Sequence, residues 1–344
     1  MAFTTINNGS LFMNPKIYTG NGGTQTITDI NFEPDLIYTK GRDLGESPWF
    51  TDNVVGLTKY RYSNGTGANS TYTTAVTGTN SDGYVLGDKN GFNNNTKTFV
   101  SWNWKANGTG SANTDGSISS TVSANTTSGF SIVSYAGSNS NVTVGHGLGV
   151  TPKMIIFKNR DSVTSWTVYH ESLGNAKRLV LNTTGAEEGT NQFSFGTSPT
   201  SSLFALGGGY GDVNTSGANF VAYCFADVQG YSKFGSYTGN GNADGTFVYT
   251  GFKPSLLMLK NSSATADWVI LDDKRNPTND DAMKKLFPND YRVEESGTYL
   301  DMLSNGFKLR TSGTDNNGNG NTLIYMAFAS APLVGTNNIP ANAR

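Results

Sequence analysis

The chain has 344 residues, a formal net charge of −2, 42 glycines and a charged fraction of only 15%. Without clusters of Lys or Arg, this composition excludes the basic surface that nucleic acid needs. The single cysteine, Cys224, excludes an intrachain disulfide and a cysteine-rich zinc site. The sequence also lacks a membrane-length apolar run and a signal peptide. We therefore predict synthesis in the cytoplasm, no nucleic-acid partner and no membrane insertion.

Three segments share one pattern of residues, which indicates an internal repeat. Each has a tyrosine before a glycine-rich turn, a proline 16 or 17 residues later, and a lysine six residues after that proline. A proline can begin a strand because its missing N–H falls at the start of the ladder. The repeated landmarks, in chain order, are Tyr18, Pro34 and Lys40; Tyr135, Pro152 and Lys158; and Tyr237, Pro254 and Lys260.

Each unit closes on a segment that is typical of a β-strand. In residues 99–105, Val100, Trp102 and Trp104 alternate with polar residues, the period of a half-buried strand. The corresponding segments 220–226 and 323–329 are apolar on both faces, as in a central sandwich strand. The sequence predicts an all-β fold of tandem, small β-sandwich-like domains with Gly/Asn-rich loops and little helix.

The strongest helix signal covers residues 279–287. Thr278 or Asn279 can cap its start, acidic residues follow, and Pro288 ends it.

Composition also predicts the domain boundaries. Residues 107–128 are nearly all Gly, Ser, Thr, Asn and Ala, which bury too little apolar surface to fold alone. We expect this linker and an N-terminal arm to order on a partner chain. The predicted units are an arm at 1–15, domains at 16–106, 129–227 and 228–330, the linker at 107–128, and a C-terminal tail at 331–344.

The sequence offers little for catalysis. Its only two histidines, His146 and His170, lie far apart, and it has neither a nucleophile-elbow motif nor metal-ligand spacing. Adjacent carboxylates such as Asp272 and Asp273 point to opposite faces of a strand, so they do not form a glycosidase pair. We predict no enzyme activity, no catalytic residue, no metal and no cofactor, and we expect His146 to bond the backbone of its glycine-rich turn.

A tryptophan and a polar residue recur after each repeated lysine. An aromatic plane beside a carboxylate can bind a sugar, so these residues predict a carbohydrate site. The alternative is that the tryptophans fill the core and the polar residues cap strand ends, because every copy of a fold has the same packing problem. We expect the lysines to be solubilising charges at strand ends. The candidate site residues are Trp49, Asp52, Trp166, His170, Trp268 and Asp272.

Several longer motifs carry a resemblance to a known family. They are Tyr-Thr-Gly-Asn-Gly at 18–22 and 237–241, and the segments 113–126, 145–156, 165–170 and 231–239. Over residues from about 16 to 329, the chain resembles β-rich tandem-repeat structural proteins of marine tailed phages, especially cyanophages. The resemblance implies a virion structural protein on the particle exterior, and relatives of this kind are labelled tail fibre or virion structural protein.

The expected function is therefore that of a tail fibre or tail-associated adhesin, which acts by assembly and host-surface binding. Expected partners are other virion proteins, further copies of the chain in a homotrimer, and a host surface polysaccharide. The absence of coiled-coil heptads favours an alternative, a capsid decoration or cement protein. A tailspike-type hydrolase of surface polysaccharide is the second alternative.

Overall fold

A computed structural model describes residues 3–189 and 197–337. The first repeat comprises β1 (Met13–Thr19), β2 (Gln25–Ile27), β3 (Leu36–Gly41), β4 (Trp49–Asp52), β5 (Lys59–Tyr62), β6 (Ser70–Thr71), β7 (Val76–Asn80), β8 (Gly83–Leu86), α1 (Asn90–Asn93) and β9 (Thr98–Trp104). The second comprises β10 (Ser111–Asn113), β11 (Ser120–Asn125), β12 (Phe130–Ala136), β13 (Val142–Gly145), β14 (Met154–Asn159), β15 (Thr167–His170), β16 (Lys177–Val180), β17 (Glu188–Gly189), β18 (Leu203–Leu206), α2 (Gly211–Asn214) and β19 (Asn219–Phe225). The third comprises β20 (Ser232–Thr238), β21 (Phe247–Tyr249), β22 (Pro254–Asn261), β23 (Trp268–Asp272), β24 (Met283–Lys285), β25 (Glu295–Gly297), β26 (Leu300–Leu303), β27 (Gly306–Leu309), α3 (Thr314–Asn317) and β28 (Thr322–Ala329).

Each repeat builds a main antiparallel sheet and a smaller second sheet. The main sheets share four strands in the same order, β1-β9-β3-β4, β12-β19-β14-β15 and β20-β28-β22-β23. The smaller sheets are β2-β8-β7, β13-β18 and β21-β27-β26. The predicted all-β fold of sandwich-like domains with little helix is confirmed.

The two faces of each main sheet bury different cores. In β19, Tyr223 and Phe225 enter a core that all three repeats share, whereas Phe220 and Cys224 enter the outer core beneath the small sheet. The period-two alternation of a strand sends neighbouring side chains to opposite faces. Both faces are buried, which explains why β19 and β28 are apolar at almost every position.

The shared core joins every pair of repeats. Phe50 and Trp166 lie 5.1 Å apart between ring centroids, Phe225 and Phe328 lie 6.1 Å apart, and Trp104 and Phe328 lie 6.0 Å apart. We call this closed arrangement of three main sheets the three-repeat body. It buries the inner apolar faces of the three main sheets between the repeats.

Equivalent hydrogen bonds confirm the internal repeat. The first tyrosine of each unit donates its hydroxyl to a carbonyl in the short helical turn that precedes the closing strand. These bonds are Tyr18 to Phe92 O at 2.7 Å, Tyr135 to Val213 O at 2.8 Å, and Tyr237 to Asn316 O at 2.6 Å.

The prediction that residues 107–128 form a linker is wrong. Strand β10 pairs with β11, and β11 pairs with β12 along its whole length, so the segment widens the second main sheet. Val122, Ser120 and Ser123 are buried in this addition. The segment alone buries too little apolar surface to fold, but in the second main sheet a neighbouring strand supplies its hydrogen bonds and a surface against which it packs.

The N-terminal arm is also folded onto the body. Met13, Asn14 and Pro15 already belong to β1 and are buried. Gly9 N donates to Ser330 O at 2.7 Å, and Asn7 Nδ2 donates to Thr336 Oγ1 at 2.7 Å. The segment before β1 therefore packs on the end of the third repeat and on the start of the predicted tail. Residues 338–344 of that tail lie outside the described residues.

The predicted helix at 279–287 is wrong. The segment contains β24, and the main chain of Leu286 exchanges two hydrogen bonds with Ile270 in the third main sheet. Met283, Leu286 and Phe287 are buried there. Burial of these three apolar side chains against the sheet outweighs local capping signals, which are a weak determinant of structure.

Candidate functional site

Two of the three repeated tryptophans form hydrogen bonds to the preceding repeat. Trp166 and Trp268 lie in the shared core. The Trp166 Nε1–H donates to Tyr62 O of the first repeat at 2.8 Å, and the Trp268 Nε1–H donates to Val180 O of the second at 3.0 Å. Both indole rings are used for packing and for a bond between repeats.

Trp49 differs because it follows its lysine by one residue more. The position equivalent to Trp166 in the first repeat is Pro48, and a shift of one residue in a strand turns the side chain to the opposite face. Trp49 therefore lies in the outer core of the first repeat, against Phe92 with ring centroids 4.9 Å apart.

The repeated polar residues close the ends of β4, β15 and β23. The side chains of Asp52, His170 and Asp272 accept hydrogen bonds from backbone N–H groups two or three residues onward. The donors are Val55 at 2.7 Å, Ser172 at 3.2 Å and Arg275 at 2.9 Å. This pattern is that of a side chain capping a turn.

The same three residues also contact the neighbouring repeat. Tyr223 of the second repeat donates its hydroxyl to Asp52 at 2.8 Å, and Trp102 of the first donates to Asp272 at 2.9 Å. Tyr223, Trp102 and Met326 occupy equivalent positions in the closing strands. The side chain of Met326 has no N–H or O–H to donate. At this position His170 Nε2 instead lies 3.3 Å from the backbone oxygen of Tyr325.

A buried ion pair accompanies the first of these contacts. Arg61 bonds both Asp52 and Tyr223, and the side chains of Arg61 and Asp52 are fully buried. Burial alone would lower the pKa of Arg61, but Tyr223 and Asp52 raise it above its ordinary value, so the guanidinium stays charged. Burial lowers the pKa of His170 to about 4, which keeps that ring neutral at pH 7.

The carbohydrate site predicted at these six residues is wrong. The residues are between 0% and 2% exposed, so a sugar cannot reach them. The alternative is confirmed: the tryptophans fill cores, and the polar residues cap strand ends. The six residues are Trp49, Asp52, Trp166, His170, Trp268 and Asp272.

The repeated lysines are also buried, which corrects their prediction as solubilising charges. Lys40, Lys158 and Lys260 each donate from Nζ at 2.6 Å to the carbonyl six residues onward. Lys158 also donates to Thr66 O of the first repeat, and Lys260 to Thr184 O of the second. Burial lowers the pKa of Lys40 to about 7 and those of Lys158 and Lys260 to about 8.

Sequence reasoning missed a repeated buried asparagine. The side-chain amides of Asn93, Asn214 and Asn317 donate to loop carbonyls of their own repeats, and their oxygens accept from the backbone of the glycine-rich turns. Each lies six residues before the first apolar residue of its closing strand. That fixed spacing was the available signal.

Titratable groups elsewhere in the core are used structurally. His146 accepts from Leu148 N at 3.2 Å and its Nε2 lies 3.2 Å from Thr200 O, as expected of a turn histidine.

Within residues 3–189 and 197–337, no group of three His, Cys, Asp or Glu side chains is arranged to hold a metal ion. In the same ranges no helix is both long and apolar enough to cross a membrane.

The sequence profile of one family, described as Domain of unknown function (DUF7483), matches residues 8–332. The chain belongs to this DUF7483 family. The match begins and ends beside the Gly9–Ser330 contact, so the unit that defines DUF7483 is the whole three-repeat body rather than a single repeat. A comparison with curated proteins gave no match.

One accessible candidate site in this DUF7483 chain is a cleft at the junction of the second and third repeats. It has a volume of about 520 Å³ and is lined by Asp227, Gln229, Lys233, Tyr249 and Gly251, among others. Tyr249 is 60% exposed, and Phe247, two residues earlier on the same edge strand, is 45% exposed. Because side chains two residues apart in a strand share a face, both rings lie on one outer surface.

Proposed function

We propose that the chain is a structural protein of the exterior of a bacteriophage particle, and that it acts as a tail fibre or tail-associated adhesin. The observation that supports this proposal most is the use of its buried polar groups. Asp52, Tyr223, Trp166 and Lys158 all serve contacts between repeats. A body held together in this way is suited to present rigid outer edges to a surface.

The resemblance to virion structural proteins of marine tailed phages agrees with such a role. So does the aromatic surface of Phe247 and Tyr249, since exposed aromatic side chains next to polar groups mark binding sites.

Capsid decoration is the second candidate. Three sheets that pack around one core make a compact body, whereas a fibre is expected to extend its domains in line. A compact body suits a protein that covers many equivalent positions on a shell.

Cryo-electron microscopy of the intact particle, combined with mass-based quantification of the chain against the major capsid protein, tests both candidates. The adhesin proposal predicts a low copy number at a single vertex, and binding of the purified chain to host cells. A high copy number spread over the shell would establish decoration instead. Absence of the chain from purified particles would contradict both.

A further inference from the structure

We propose that the cleft beside β21 binds a neutral saccharide unit of a bacterial surface polysaccharide, with Tyr249 and Phe247 as the stacking platform. This inference rests on the proposed adhesin function and assigns the contact to the third repeat.

Comparison of the repeats singles out β21. The equivalent edge strands of the small sheets are β2, β13 and β21, and each turns one aliphatic side chain inward. These residues are Ile27, Val144 and Val248, and each pairs with an aromatic residue of the next strand. The outward neighbours on either side are a pair of threonines in the first repeat, Thr143 and Gly145 in the second, and Phe247 and Tyr249 in the third. The fold therefore does not require aromatic side chains at these positions.

The second repeat covers its edge strand, whereas β21 is the outer strand of its sheet. Ser117 N donates to Thr143 Oγ1 at 2.9 Å, and Ile118 pairs with Val144 in a parallel bridge. In the third repeat the rings of Phe247 and Tyr249 lie against glycines. A Cβ built on Gly306 would be 3.2 Å from a Phe247 ring atom, and one on Gly251 would be 3.6 Å from Tyr249 Oη. Both rings nevertheless remain exposed, Phe247 by 45% and Tyr249 by 60%.

The polar groups of the cleft suit sugar hydroxyls. Lys233 Nζ donates to Asp227 Oδ2 at 2.9 Å, and Asp227 Oδ1 accepts from Phe234 N at 2.8 Å, which fixes the carboxylate. The ammonium has three N–H donors and the carboxylate about four acceptor positions, so both keep capacity for a ligand. Gln229 adds an exposed amide that can donate and accept.

The charge of the site indicates a neutral ligand. Asp227 and Lys233 neutralise each other, and the rest of the described lining consists of uncharged residues. Because this ion pair carries no net charge, it offers an anionic sugar no net electrostatic attraction. A hydroxyl-rich neutral ring can instead stack on Tyr249 and bond the ion pair from its edge.

A binding measurement with matched variants tests the inference. The full-length chain is applied to an array of neutral and acidic oligosaccharides from bacterial lipopolysaccharides and capsules, and separately to intact cyanobacterial host cells. The double variant Phe247→Thr/Tyr249→Thr gives the third repeat threonines at the outward positions, as in the first repeat. Tyr291→Ala removes another exposed tyrosine and is the control.

We expect the unchanged chain to bind neutral oligosaccharides, the double variant to bind about tenfold more weakly or worse, and Tyr291→Ala to change Kd by less than about twofold. An unchanged melting temperature of the double variant shows that it is folded. Binding to cells or glycans that the double variant retains would overturn this site and leave the adhesin proposal standing. Selective binding of acidic oligosaccharides would overturn the ligand class. Failure of the unchanged chain to bind cells and array would overturn both proposals.

Discussion

The interior of the three-repeat body and its outer edges differ in how closely the repeats agree. Inside, Asp52 and Asp272 meet equivalent donors from neighbouring repeats, and His170 finds a carbonyl where the donor is missing. At the edges, equivalent residues differ in type: Thr26 of the first repeat corresponds to Phe247 of the third. Packing restricts an interior position in every copy, whereas an exposed edge can change without loss of the fold. Binding is therefore best sought where the repeats disagree.

Breaking the interior should have the largest effect on stability. Asp52→Ala leaves the buried Arg61 charge without its partner and should lower the free energy of unfolding by about 3–5 kcal/mol. Urea denaturation measures the change. The control is Asp29→Asn, which removes the charge of an exposed ion pair with Lys16, keeps a residue type suited to the positive φ of 60° at this position, and should cost less than about 1 kcal/mol. Equal losses in the two variants would contradict the structural role of Asp52.

Acid should weaken the contact at His170. Its pKa is about 4 in the folded chain, below the ordinary value of 6.5, so the unfolded chain takes up the proton first. The contribution of the neutral ring is present above pH 6.5 and is lost as the pH falls to about 4. Between pH 7 and 4.5, the free energy of unfolding of the unchanged chain should fall by about 2–3 kcal/mol more than that of His170→Asn, as measured by urea denaturation. Identical pH profiles would show that this histidine is not buried as described.

Trp49 lies in the outer core of its repeat, unlike Trp166 and Trp268, and a substitution at Gly91 tests this position. A Cβ on Gly91 would lie 2.1 Å from Trp49 Cζ2, and the equivalent residues in the other repeats are Asp212 and Asp315. Gly91→Ala should therefore lower the free energy of unfolding by about 1–3 kcal/mol through overpacking. Gly67→Ala, where a Cβ would meet no atom within 4 Å, is the matched control for thermal denaturation. No difference between the two variants would mean that Trp49 packs elsewhere.

The edge should contribute least to stability. Phe247→Thr/Tyr249→Thr removes two exposed rings at positions where the first repeat carries threonine, so the free energy of unfolding should change by less than about 0.5 kcal/mol. Urea denaturation of the unchanged chain and of the double variant measures this difference in free energy. A loss comparable with that of Asp52→Ala would make the aromatic edge part of the fold rather than a binding surface.

Much of the fold could be predicted from the sequence because the repeat makes each pattern visible three times. The spacing of Tyr18, Pro34 and Lys40 recurs with strands attached, and the all-β class follows from it. The packing of the three main sheets around one shared core could not be predicted from the sequence. Strands that are apolar on both faces are expected in a separate sandwich and in the three-repeat body alike. Burial of Lys40 was missed because a lysine at a strand end is usually exposed; here its ammonium group donates to the loop carbonyl of Glu46.

The candidate site was harder to predict for a related reason. The repeated tryptophans drew attention because they recur, yet recurrence at fixed spacing reflects packing. The informative signal was a departure from the repeat, at Phe247 and Tyr249. That departure is recognised only after strand pairing has aligned β2, β13 and β21 residue by residue.

Differential scanning calorimetry of the full chain tests most directly whether the three repeats form one body. A shared core that joins every pair of repeats predicts one unfolding transition, with a calorimetric enthalpy equal to the van't Hoff enthalpy. Asp52→Ala should shift that whole transition to lower temperature. Two or three separate transitions, with only the first repeat affected by Asp52→Ala, would contradict the closed three-repeat body and restore a string of independent domains.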